Sequence, residues 1–172
     1  MSCKMSRFFI YLVMVILAFV LQFGIANTIS IYDVAPDFIL IVLCLIAATE
    51  SRSIATFMAF LSGLMVDSLS PGYFGYMAFA KCLAVFVAST LFGKITINKT
   101  YEVVGITFVV AILHNLVYTF LVNIGSSSVL KTFLNFAIPS AFYSLVIAAI
   151  FFSFLPGYFW KRIIGKKVGH SM

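Results

Sequence analysis

Charge is what this sequence has least of. Only 9% of its 172 residues are Asp, Glu, Lys or Arg, against about 25% in an ordinary soluble domain. Five acids and eleven bases are too few to clothe a water-facing surface, which excludes a soluble domain of any size. Catalytic sets are missing as well. There is no Ser/His/Asp arrangement, no glycine-rich phosphate loop, no Cys-x-x-Cys and no paired carboxylate, so neither an enzyme with its own machinery nor a cofactor is expected. Cysteine is sparse: Cys3 is terminal, Cys44 and Cys82 lie in apolar runs, and no pair spacing links them. They read as inert thiols.

What remains is apolar. Hydrophobic residues make up 63% of the chain, with 20 Phe and 8 Tyr, and mean hydropathy is +1.17. This is the composition of an integral membrane protein of the all-α class. The net charge of +6 reads as a topology signal rather than a nucleic-acid footprint.

Six apolar segments can be drawn, at about 8–26, 34–49, 53–70, 73–93, 103–124 and 134–157. The first follows Lys4 and Arg7 and runs slightly longer than a signal-peptide core, so it reads as a retained span. The second and third are short and meet at Glu50-Ser51-Arg52-Ser53. A re-entrant hairpin there would leave Glu50 and Arg52 at membrane depth, so two full spans is the better reading. With the N-terminus inside, Lys4, Arg7, Arg52, Lys94, Lys99, Lys161, Arg162, Lys166 and Lys167 fall on the cytoplasmic side, and Lys131 alone falls opposite. That bias supports six spans with both termini in the cytoplasm. Tyr158 and Trp160 sit where an interfacial aromatic belt belongs, and the basic tail 161–172 adjoins the last span. The whole chain reads as one membrane domain.

Polar residues inside apolar runs are the candidates for function. Residues 63–75 read Gly-Leu-Met-Val-Asp-Ser-Leu-Ser-Pro-Gly-Tyr-Phe-Gly. Asp67 closes the third segment, and a carboxylate at a helix centre costs about 2.5–3.5 kcal/mol on insertion scales. Ala55, Ala59, Gly63 and Asp67 recur every four residues, a small-residue face suited to close helix packing. Ala80, Ala84 and Ala88 offer a similar stripe on the fourth segment. Lys81 lies about one and a half turns deeper into that segment than Asp67 lies into the third, within reach of its flexible stem; it is the natural partner for Asp67, and the expectation is a structural ion pair stitching segments 3 and 4. Snorkelling of Lys81 to an interface and ion or proton transport are the alternatives. His114, Asn115 and Tyr118 form a polar patch in the fifth segment; such groups commonly hydrogen-bond across helices, with ligand or proton handling as the alternative. No second His or carboxylate stands at metal-ligand spacing, so no metal site is expected. Pro36-Asp37 is a helix-start signal.

Pro36-Asp37-Phe38, then Gly63-Leu-Met-Val-Asp67, then Pro71-Gly72 and Gly75, is a combination that resembles the bacterial MreD family of rod shape-determining membrane proteins. The motif stretch covers residues 36–75; span count, size and short loops agree along the whole chain, whereas the C-terminal half carries no assignable motif. The resemblance implies a non-enzymatic scaffold in the bacterial cytoplasmic (inner) membrane. It implies association with MreC and, through it, with the MreB filament, RodA and a class B penicillin-binding protein in the elongasome, which builds lateral-wall peptidoglycan. It also implies a fold similar to the six-helix substrate-binding components of energy-coupling-factor transporters. The alternative function is of that kind: a small-molecule-binding membrane subunit of a transporter. A substrate binder should have a cavity with convergent polar groups; a scaffold should not.

Overall fold

The structure is a computed structural model in which residues 2–24, 35–70, 74–95, 97, 99–124, 129–155, 159–160 and 163 are described. Every regular element among them is helical. They are α1 (Ser2–Gly24), α2 (Phe38–Thr49), α3 (Arg52–Leu69), α4 (Tyr76–Lys94), α5 (Thr100–Val122), α6 (Val129–Thr132), a π-helical turn (Phe133–Ala137) and α7 (Ile138–Ser153). The last three run on as a single rod, which gives six rods. α3, α4, α5 and the rod Leu130–Ser153 are long and apolar enough to cross a membrane, and Phe8–Gly24 and Phe38–Thr49 are shorter apolar helices.

α2 organises the bundle. It packs against α1, α3, α4, α5 and α7, and every residue from Ile39 to Thr49 is buried. Phe38-Ile-Leu-Ile-Val-Leu-Cys-Leu-Ile-Ala-Ala-Thr49 has no polar face, as a helix wrapped on all sides requires. Its 12 residues span about 18 Å, well short of a hydrocarbon core of about 30 Å. The outer rods instead expose Phe, Leu, Ile and Val on one side, as on α1 at Phe9, Val13, Leu17 and Val20 and on α5 at Val109, Leu116 and Phe120. That surface suits lipid.

α3 and α4 form the closest pair. Ala55, Ala59 and Gly63 on α3 and Ala80, Ala84 and Ala88 on α4 are buried. A Cβ placed on Gly63 would stand 2.3 Å from the Ala78 Cα, so only glycine permits this approach. Gly75 caps α4 with φ 97, a left-handed conformation that costs glycine little. Pro71 and Gly72, read from the sequence as the turn between these helices, lie outside the described residues.

The π turn has a local cause. Pro139 has no N–H to give to a carbonyl four residues back. The preceding Ile138 N–H reaches instead to the Phe133 carbonyl, five residues back, and the helix widens by one residue. At the loop between α2 and α3 the Arg52 guanidinium lies over the Phe86 ring, 5.0 Å from its centroid.

Candidate functional site: a polar centre at the buried start of α2

The first N–H groups of a helix have no partner within the helix, and inside a bundle other parts of the protein can supply them. The chain meets this need at α2 from three directions. Asp37 is the N-cap, and its Oδ1 accepts from the Leu40 N–H at 2.8 Å. Gln22 of α1 accepts from the Phe38 N–H through Oε1 at 2.8 Å and donates Nε2 to the Pro36 carbonyl at 3.1 Å. Ser144 of α7 accepts from the Asp37 N–H at 3.0 Å, and Ser140, one turn earlier, donates to the Ala35 carbonyl at 3.0 Å. The first and last helices thus clamp the start of the second.

The second Asp37 oxygen carries the charge pairing. Lys81 Nζ donates to Oδ2 at 2.5 Å, with the lysine 1% exposed. His114 Nδ1 stands 3.9 Å from the same oxygen. Here the structure corrects the expected Asp67–Lys81 pair. Because α2 is short, its N-terminus lies at the depth of Lys81, while both Asp67 oxygens are otherwise engaged. Asp67 Oδ2 accepts from Gly75 and Ala78 N–H at 3.1 and 2.9 Å, and Oδ1 from Met77 N–H at 3.1 Å. Asp67 is an N-cap supplied to α4 from the end of α3, where negative charge also complements the helix dipole. Gly63 lets α4 come close and Asp67, one turn on, binds its first turn.

The fifth-helix patch joins the same centre. Asn115 Nδ2 donates to the Ala137 carbonyl at the end of the π turn, 2.8 Å away. Its Oδ1 is therefore left to accept from His114 Nδ1 at 3.2 Å, which assigns the ring proton to Nδ1. The Tyr118 ring stacks on His114 with centroids 6.4 Å apart and an interplanar angle of 8°. His114 is 3% exposed, and its Nε2 has no partner among the described residues.

The structure thus brings Pro36, Asp37, Lys81, His114 and Asn115 together and sets Gly63, Asp67 and Gly75 in a second locus at the α3–α4 contact. Gln22, Ser140 and Ser144 were missed by sequence reasoning. A signal existed: Gln22 is the one amide within the run Phe8 to Phe23, and Ser140 and Ser144 share a helix face at i, i+4. Cys82 donates its thiol to the Thr56 carbonyl at 3.6 Å, and Cys44 is a free thiol buried on α2. No group of three His, Cys, Asp or Glu able to hold a metal occurs among the described residues.

Chemically, this centre joins helices. An ion pair to α4, a capped helix end and side-chain clamps from α1 and α7 converge on the first turn of α2, with His114 of α5 beside it. With four helices long and apolar enough to span a bilayer, the arrangement defines a multi-pass α-helical membrane protein fastened around a polar core. The family model described as "rod shape-determining protein MreD" matches residues 2–162, and the chain belongs to that family. No curated protein and no solved structure matches it.

Proposed function

We propose that this rod shape-determining membrane protein acts as a non-enzymatic scaffold of the elongasome, supporting lateral-wall peptidoglycan synthesis. Its main partner would be MreC, with MreB, RodA and a class B penicillin-binding protein in the larger complex. It would sit in the bacterial cytoplasmic membrane as six spans with both termini inside. Membership of the MreD family over residues 2–162 is the observation that carries this reading. Two structural features support it. The charged side chains at membrane depth, Asp37 and Lys81, pair with each other, and Asp67 holds backbone, so these groups serve the bundle itself. The outer helices present apolar faces that a partner helix could use.

The transporter-subunit alternative calls for a cavity with convergent polar groups. One groove among the described residues, about 380 Å³, is lined by Met, Leu, Ile, Val, Phe and Ala side chains instead. That favours the scaffold reading over substrate capture, and we read any likeness to energy-coupling-factor components as one of helix arrangement. Depletion in a rod-shaped host is expected to round the cells, and tagged protein is expected to bring MreC with it from solubilised membranes. Normal shape after depletion in a host with a single copy of the gene would sink the proposal.

A further inference from the structure

We propose that the polar centre contains an internal water site between Lys81 of α4 and His114 of α5. An ammonium has three N–H donors. One goes to Asp37 Oδ2, and among the described residues Nζ has no other acceptor, although Lys81 is 1% exposed. His114 presents the opposite surplus. Its Nδ1 proton goes to Asn115 Oδ1, so Nε2 keeps a lone pair that is buried and without a donor. A buried charge is tolerated best when its remaining protons are matched, and a buried acceptor left unmatched is costly. The two groups are close: Lys81 Nζ and His114 Nδ1 stand 2.5 and 3.9 Å from the same Asp37 oxygen. Lys81 makes no bond to Nε2, but a chain of one or two water molecules spans the interval.

Charge and hydrogen-bond direction set the ligand class. Asp37 and Lys81 already cancel, so an ion would bring net charge into a buried site. An anion would suit the ammonium and oppose the lone pair of Nε2; a cation would do the reverse. Water accepts from Lys81 and donates to His114, which matches both. Size is limited as well, because both side chains are almost wholly buried. Short side chains stand beside the two long ones and leave room for a molecule this small. Ala84 follows Lys81 by three residues and Ala111 precedes His114 by three, each buried on the same helix face as its longer neighbour. Bridged in this way, the ammonium is held from two sides, by Asp37 of α2 directly and by His114 of α5 through water. This inference does not depend on the scaffold reading, because it is tested on the isolated chain.

The test is NMR of the full chain in lipid nanodiscs, with histidine labelled in carbon-13 and nitrogen-15. The sequence has two histidines, and His170→Gln leaves His114 as the one ring observed. The ring proton is expected on Nδ1, with the Nε2 resonance displaced from that of a bare nitrogen. Magnetisation is expected to pass from water to the ring Hδ2, beside Nε2, with the sign given by a water that tumbles with the protein. A water-soluble paramagnetic chelate should leave this signal standing, because the site is closed to bulk solvent. Replacing the pair, Lys81→Met with Asp37→Asn, removes the donor without stranding a charge and is expected to weaken the water signal about five-fold. If the pair lowers the unfolding midpoint, the same water contact is read instead at the Lys81 ammonium of lysine-labelled protein. Four results overturn the proposal: a ring proton on Nε2, a visible Hδ2 that receives nothing from water, a folded paired variant whose water signal matches that of the parent, and a Lys81 ammonium without water contact.

Discussion

Lys81 and Asp37 make the sharpest case at the scale of single residues. Each would be costly alone at this depth, and each is tolerated because the other stands against it. Removing one partner strands the other charge. Lys81→Met is therefore expected to destabilise the detergent-solubilised protein by about 3–5 kcal/mol. Adding Asp37→Asn to it should restore most of the loss, because Asn still caps α2 without carrying charge. A thermal-unfolding double-mutant cycle reads this, and additive single effects would mean that the two residues do not couple. Asp67 behaves differently. Asp67→Ala uncovers three N–H groups at the start of α4 and is expected to cost about 2 kcal/mol or more in the same assay. Exchanging the charges, Asp67→Lys with Lys81→Asp, should not rescue either single variant, since these residues do not pair.

The α3–α4 seam shows, at the scale of elements, what sequence could and could not convey. The interval of four among Ala55, Ala59, Gly63 and Asp67 is a property of one helix, and it was legible. Which backbone would meet Gly63 was not written in that interval, although the short connection made α4 the natural neighbour. Gly63→Ala puts a methyl 2.3 Å from the Ala78 Cα and is expected to cost about 1–3 kcal/mol, measured as a lowered unfolding midpoint. The partner of Lys81 was not legible, because it depended on how deep α2 begins. Pro36-Asp37 announced a helix start, yet the membrane level of that start is set by α1 and α7 through Gln22, Ser140 and Ser144. Those contacts join residues 14 to 107 positions apart, beyond any local pattern. The π turn was hidden for a similar reason. Pro139 marks where the helix must yield, but Asn115 on α5 is what takes up the Ala137 carbonyl.

The described residues of the whole molecule form an arc of long rods around one short one. A helix buried on every side cannot exchange its amides with water until its neighbours part. In hydrogen-exchange measurements, α2 amides from Ile41 to Thr49 are expected to exchange slowest in the chain, at the rate of global unfolding. The single exposed turn of α6 should exchange many times faster. Equal protection in the two would mean that α2 is not the innermost element.

The bond from the Asp37 N–H to Ser144 spans 107 residues, and that separation sets a schedule. At a synthesis rate of about 5–20 residues per second, the hydroxyl that receives this N–H is made roughly 5–20 s after its donor. Ser140 is delayed almost as long. Through that interval the start of α2 must rely on water, on Asp37 and Gln22, or on the insertion machinery. A ribosome-bound chain ending before Ser140 therefore holds five rods but an unfinished centre, and its assembly ends only when the last rod arrives.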